Sequence, residues 1–97
     1  MNVVFLNEAK IEIEDAVEYY ELQSKGLGKV FKTELKQTVQ RIVSFPLAWT
    51  EIKPDIRRAI MSKFPYNVLY SVEAESILIL AVAHHHRKPN YWDIRVK

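Results

Sequence analysis

Eleven side chains in the second half of the chain have the types and spacing to act on a phosphodiester. Arg57 and Arg58 open one expected strand and Lys63 closes it; period-two counting puts Arg57 and Lys63 on one face. His84, His85 and His86 end a long apolar run and lead into Arg87 and Lys88, and Tyr91, Trp92 and Arg95 follow Pro89. Cleaving RNA through its own 2′-hydroxyl needs a base for that hydroxyl, an acid for the leaving oxygen and cations for the charge building on phosphorus. Histidine titrates near neutrality and could be either base or acid; arginine and lysine can hold the phosphate; tyrosine or tryptophan can stack a base. The residue types permit this chemistry without demanding it.

Each group also has a plainer reading. Arg57 and Arg58 can be solvated charges on an edge strand. Tyr91 and Trp92 can form a C-terminal lid over the sheet rather than a stacking platform. His84 and His86 project to one face as an extended pair, but with no cysteine and no evident third ligand neither a metal nor any other cofactor is expected. Charge is unevenly spread. Residues 1–24 carry one base, Lys10, against six acids, for a net −5, whereas residues 25–97 carry thirteen bases against six acids, for a net +7. That polarity suits an anionic partner for the second part, or two solvated faces of opposite sign.

The elements that must position these groups follow from periodicity. With 97 residues and 48% hydrophobic content the expectation is one domain, residues 1–97, around one core. Val3–Leu6 reads as an edge strand, and Asn7 offers an N-cap. Ala9, Ile13, Ala16, Val17 and Tyr20 recur at helical steps, and Gly26-Leu27-Gly28 reverses the chain. Leu27, Phe31, Leu35, Thr38, Val39, Ile42 and Phe45 mark a second helix that Pro46 ends. Tyr19, Tyr20, Phe31 and Phe45 are expected in the core, and the acidic face of the first helix in solvent.

Leu47–Pro54 reads as a loop, and Ile56–Phe64, Asn67–Val72 and Ile77–His84 as strands. In the last, Ile77, Ile79, Ala81 and Ala83 face one way and Leu78, Leu80 and Val82 the other, so that strand should be covered on both faces. The order β-α-α-β-β-β predicts an α+β domain. Residues 1–6 are too short for a signal peptide and no apolar run reaches the roughly 20 residues that span a bilayer, so a soluble cytoplasmic protein is expected.

Several segments together resemble the ParE/RelE toxin superfamily of type II toxin–antitoxin (plasmid stabilisation) systems. They are Ala16-Val17-Glu18-Tyr19-Tyr20, Gly26-Leu27-Gly28 with Phe31 and Leu35, Phe45-Pro46, Ile56-Arg57-Arg58 and Phe64-Pro65-Tyr66-Asn67-Val68-Leu69-Tyr70. Ile79–His84 with Arg87, Pro89, Tyr91 and Trp92 completes the set. The resemblance implies a helical hairpin on a small antiparallel sheet and a growth-inhibiting toxin neutralised by an acidic, partly disordered antitoxin. RelE-like members cleave mRNA on the ribosome, whereas ParE-like members poison DNA gyrase and are not nucleases. By position, the resemblance carries Arg57, Lys63, His84, Arg87 and Tyr91 over as catalytic candidates. Arg58, His85, His86, Lys88 and Trp92 become RNA-binding ones. Three consecutive histidines beside an arginine tilt the reading to mRNA cleavage. The loop before Ile56 has only Lys53 in place of a dense lysine cluster, which keeps gyrase inhibition open as the alternative.

Overall fold

The computed structural model describes residues 1–96. The elements are β1 (Asn2–Phe5), α1 (Asn7–Gln23), α2 (Leu27–Ser44), β2 (Thr50–Lys53), β3 (Ile56–Ile60), β4 (Tyr66–Val72), β5 (Ser76–His84) and a terminal 3₁₀ turn (Asp93–Val96). The five strands form one sheet in the order β1-β5-β4-β3-β2. β1 runs parallel to β5 and the other pairings are antiparallel. This is the expected α+β arrangement of an N-terminal strand and helical hairpin packed on an antiparallel sheet. None of the described helices is long and apolar enough to cross a membrane.

Local expectations fail at several points. Thr50–Lys53, inside the expected loop, is an edge strand paired with β3. With Ile52 its one apolar residue the segment carries no alternation, and the backbone ladder, with Ile52 resting on the second core, holds it in place. Pro54 and Asp55 turn the chain between them, with Asp55 left-handed (φ 67°) and its N–H donated to Glu51 Oε2 at 2.8 Å. The expected strand Ile56–Phe64 ends at Ile60. Asn7 is the first helical residue rather than the cap; Leu6 takes that place, extended, and no side chain caps the helix. Tyr19 is 57% and Phe45 67% exposed, which corrects their assignment to the core. Tyr19 stands one residue off the stripe that Tyr20 occupies, and Phe45 lies beyond the last helical residue with a non-helical backbone.

Glycine matters at the hairpin turn. Gly26 is left-handed (φ 89°), and the Glu21 carboxylate accepts the N–H groups of Gly26 (2.9 Å) and Gly28 (3.1 Å) at the start of α2. Negative charge is favourable at that end of the helix dipole. At Gly28 a Cβ would meet Val17 O at 2.8 Å, so the helices approach closely there. Gly28→Ala should therefore cost about 1–2 kcal/mol despite alanine's better helix propensity, read as a lowered urea midpoint at unchanged m.

The hairpin covers one sheet face with Phe31, Leu35, Ile42, Tyr20 and Ala16 against Ala59, Val68, Tyr70, Ile77, Ile79 and Val82. Phe31 stacks on Tyr20 (5.5 Å) and meets Phe64 and Tyr66 edge-on at 5.0 and 5.1 Å. The opposite face holds a smaller core of Ile56, Leu69, Leu80, Ala81 and Trp92. β5 is thus covered on both faces, but not with the expected alternation. Leu69 pairs with Ala81 and Tyr70 with Ile79, leaving Leu80 as an extra residue on β5. Such a bulge reverses the parity of all that follows. Val82 therefore joins Ile77 and Ile79 under the hairpin, while Leu80 and Ala81 both belong to the second face.

Candidate functional site

The bulge also decides where the histidines go. His84 follows Val82 toward the hairpin, pairs with Tyr66 across the ladder and meets its ring edge-on at 5.1 Å. It lines a cleft with Glu12, Asp15, Tyr19, Tyr66 and Arg87. Burial lowers the His84 pKa, and the neighbouring charges of His86 and His85 lower it further. Its Nδ1 accepts the His86 backbone N–H at 3.0 Å. The network therefore assigns the proton of the neutral ring to Nε2 and leaves no free lone pair. His85 Nε2 bonds to Asn67 Oδ1 at 3.2 Å, and the exposed His86 ring stands 5.0 Å from that of His84.

Beyond β5 the chain crosses the second face as a strap. Asn90, left-handed at φ 61°, turns it, and Trp92 is 3% exposed in the second core. Trp92 is thus the lid rather than an open stacking platform. The strap is tied at two places. Lys53 and Asp93 form an exposed ion pair at 2.8 Å, with the Lys53 ammonium 5.6 Å from the Trp92 ring. The second tie is largely withdrawn from solvent. Glu12, on α1, accepts the Tyr91 hydroxyl and both Arg95 Nη groups (3.1 Å each), and also the Val82 backbone N–H at 3.0 Å. Arg95 Nη1 donates in turn to Leu80 O at 3.0 Å. β1 pairs no further than Phe5–Ile79, so β5 has no strand neighbour on that side beyond Ile79. Glu12 and Arg95 satisfy the main-chain groups left there.

This latch changes what Tyr91 can do. Burial first, then the hydrogen bond to Glu12 and the charge of Glu12, raise its pKa far above the ordinary phenol value, against the opposing charges of Arg87 and Arg95. The Arg87 guanidinium lies 3.8 Å from the centre of its ring. Tyr91 is a protonated donor whose proton is already engaged.

The ten candidates divide. Arg58, His85, Lys88, Tyr91 and Trp92 line one hollow on the strap side of the sheet, His84 and Arg87 border both that hollow and the hairpin-side cleft, and His86 lines neither. Arg57 and Lys63 stand elsewhere. Arg57 Nη1 donates to Trp49 O at 2.6 Å and Leu47 O at 3.2 Å, holding the segment after α2 beside the Tyr70 hydroxyl's bond to Pro46 O (2.6 Å). Lys63 lies in the turn between β3 and β4, where its N–H bonds to Glu34 of α2, and it lines a separate cleft with Lys29 and Gln37. Because β3 ends at Ile60, the counting that put Lys63 on one face with Arg57 does not apply. No set of three or more His, Asp or Glu able to hold a metal occurs among the described residues.

Sequence reasoning missed Glu12, having assigned the acids of α1 to solvent, and named Arg95 beside Tyr91 and Trp92 without giving it a role. A signal was available: Glu12 falls three residues after Ala9 and four before Ala16, within the apolar stripe. Glu34 interrupts the stripe of α2 in the same way, between Phe31 and Leu35, and is 4% exposed.

Residues 3–89 match the family model described as the ParE toxin of the type II toxin–antitoxin system parDE. The chain belongs to the ParE toxin family. No curated protein matches it. Among solved structures it is similar to a chain of the chromosomal ParDE toxin–antitoxin system from P. aeruginosa, with a TM-score of 0.63 and 12% identity. That match covers 87% of this chain and 95% of the other, and supports the ParE fold alone. The ParE family match ends at residue 89, so it includes His84–Arg87 but leaves the latch residues Tyr91 and Arg95 beyond it.

Proposed function

We propose that this ParE-family toxin stops growth by binding DNA gyrase, the reading that ranked second on sequence, and that an acidic, partly disordered antitoxin neutralises it. The carrying observation is that the two candidate proton-transfer groups are already committed. His84 gives its lone pair to the His86 amide, and Tyr91 gives its proton to Glu12. A general base needs a free lone pair within reach of the proton it abstracts. Lys63 and Arg57 sit apart from the histidines, which removes two of the cations that a phosphorane-like transition state would use. The family match favours the same side of the division.

The basic second part of the chain suits the acidic antitoxin, since complementary charge steers a disordered segment onto its site. The purified toxin should convert supercoiled plasmid to cleaved product when gyrase is present and leave it intact without gyrase. Incubated with translating ribosomes, it should create no new mRNA ends. Under this reading His84→Ala inhibits growth as the wild type does. Ribosome-dependent cleavage that disappears in His84→Ala would restore the interferase reading.

A further inference from the structure

On the side of the hairpin turned away from the sheet, a groove of about 330 Å³ runs between the two helices. Ile13, Val17 and Leu22 supply its apolar lining, with Glu14 and Glu18 on the α1 rim and Lys32 on the α2 rim. Leu22 is 83% exposed, the most of any large apolar side chain among the described residues. The rims carry opposite charge. Glu14 and Glu18 are exposed one helical turn apart, and Lys29, Lys32 and Lys36 form an exposed stripe at three- and four-residue steps on α2. The only acid of α2, Glu34, is buried at the turn after β3. None of the five rim charges is in an ion pair among the described residues. We propose that two copies of the chain associate through this face, α1 of one copy lying on α2 of the other.

A two-fold contact can lay one hairpin on another in two ways. With the axis across the helices, α1 meets α1 and the glutamates face one another. With the axis along the hairpin, Glu14 and Glu18 of each copy face the lysines of its partner. The heights agree. Gly28 abuts Val17, where a Cβ would lie 2.8 Å from Val17 O, so Lys29 and Lys32 stand close to the heights of Glu18 and Glu14. An axis in that direction leaves each height unchanged and closes the two grooves on each other, taking Val17 and Leu22 of both copies out of water. A foreign partner of one sign would be repelled by one rim, and an acidic antitoxin by the glutamates, whereas a second copy offers both stripes. Helices of 17 and 18 residues are about 25 Å long, so the pair presents roughly 500 Å² per copy, at the small end of specific interfaces. A weak dimer is the expectation. Because the strap covers the opposite face of the sheet, both strap sides would point outward and stay open to other partners. Dimer formation is independent of which target the toxin has.

Sedimentation equilibrium of the isolated full-length protein should show monomer and dimer in exchange, with a Kd of roughly 10–100 µM that rises with salt. Leu22→Glu should weaken the dimer by about tenfold or more, since it sets a charge in the apolar seam. Reversing the acids (Glu14→Lys with Glu18→Lys) gives two basic rims, and reversing two bases (Lys29→Glu with Lys32→Glu) gives two acidic ones. Each reversed variant alone should be monomeric, and an equimolar mixture of the two should form a heterodimer at least as tight as the wild-type dimer. All these side chains are exposed, so each variant should keep a Tm close to the wild type. A wild type that stays monomeric throughout that range overturns the proposal and leaves the groove to a foreign chain. So does a dimer that survives either reversal, because contact of α1 on α1, or through another face, would be indifferent to it. Reversed variants that stay monomeric when mixed overturn the pairing of the rims.

Discussion

Glu12→Ala should lower the unfolding free energy by about 2–4 kcal/mol, toward the cost of stranding one partner of a buried ion pair. Glu12 and Arg95 are each only 12% exposed at the side chain, so neither charge can be rehydrated without moving the strap. The same substitution removes the acceptor of the Val82 amide and of the Tyr91 hydroxyl. For a domain of this size a loss of about 3 kcal/mol lowers Tm by roughly 12 °C or more. The strap should loosen first, so Trp92, buried in the wild type, shifts its emission to the red before global unfolding. Adding Arg95→Met should recover part of the loss, because the double variant leaves no uncompensated charge. A single-variant loss below about 1 kcal/mol, as exposed pairs give, would show that the latch is a surface contact after all.

Glu34→Ala should be nearly as costly, by about 2–4 kcal/mol at neutral pH, because two backbone amides and a hydroxyl lose a charged acceptor. The Glu34 carboxylate accepts the Lys63 N–H at 2.9 Å, the Ser62 hydroxyl at 2.8 Å and the Ser62 N–H, closing the turn that follows β3. Burial pushes its pKa up, but the bonds from Lys63 and Ser62 and the Lys63 charge outweigh that and hold it below the ordinary 4.5. A carboxyl whose pKa is lower folded than unfolded binds protons more readily when unfolded. Its contribution is therefore complete above pH 4.5 and is lost as pH falls through the folded value. Urea titrations of wild type and variant at neutral pH and at about pH 3.5 should give a gap that narrows in acid. A gap independent of pH would mean that Glu34 acts through packing alone.

Much of the fold was legible because its causes are local. The helical stripes through Ala9, Ala16 and Tyr20 and through Phe31, Leu35 and Ile42 point to one covered surface. Gly26 and Pro46 mark where each helix must yield. The residues of β4 and β5 are apolar enough to be strands whatever their neighbours, and their observed bounds differ from expectation by one residue each. β2 was not legible, since Thr50–Lys53 has no apolar alternation and is a strand only because β3 offers it a ladder.

The candidate site divides along the same line. The sequence by itself determined that the chemistry-bearing residues cluster at His84–Trp92, on an apolar strand within a ParE/RelE-like order of elements. Which way those residues point was decided by tertiary structure. The Leu80 bulge is a matter of register between β4 and β5, and one extra residue turns His84 toward the hairpin. Glu12 reaches partners 70, 79 and 83 residues away, so its burial could not be read from the polarity of α1 alone. Periodicity reports what one segment does with its own faces. The engagement of His84 and Tyr91 depends on which distant groups the closed fold brings within hydrogen-bond reach.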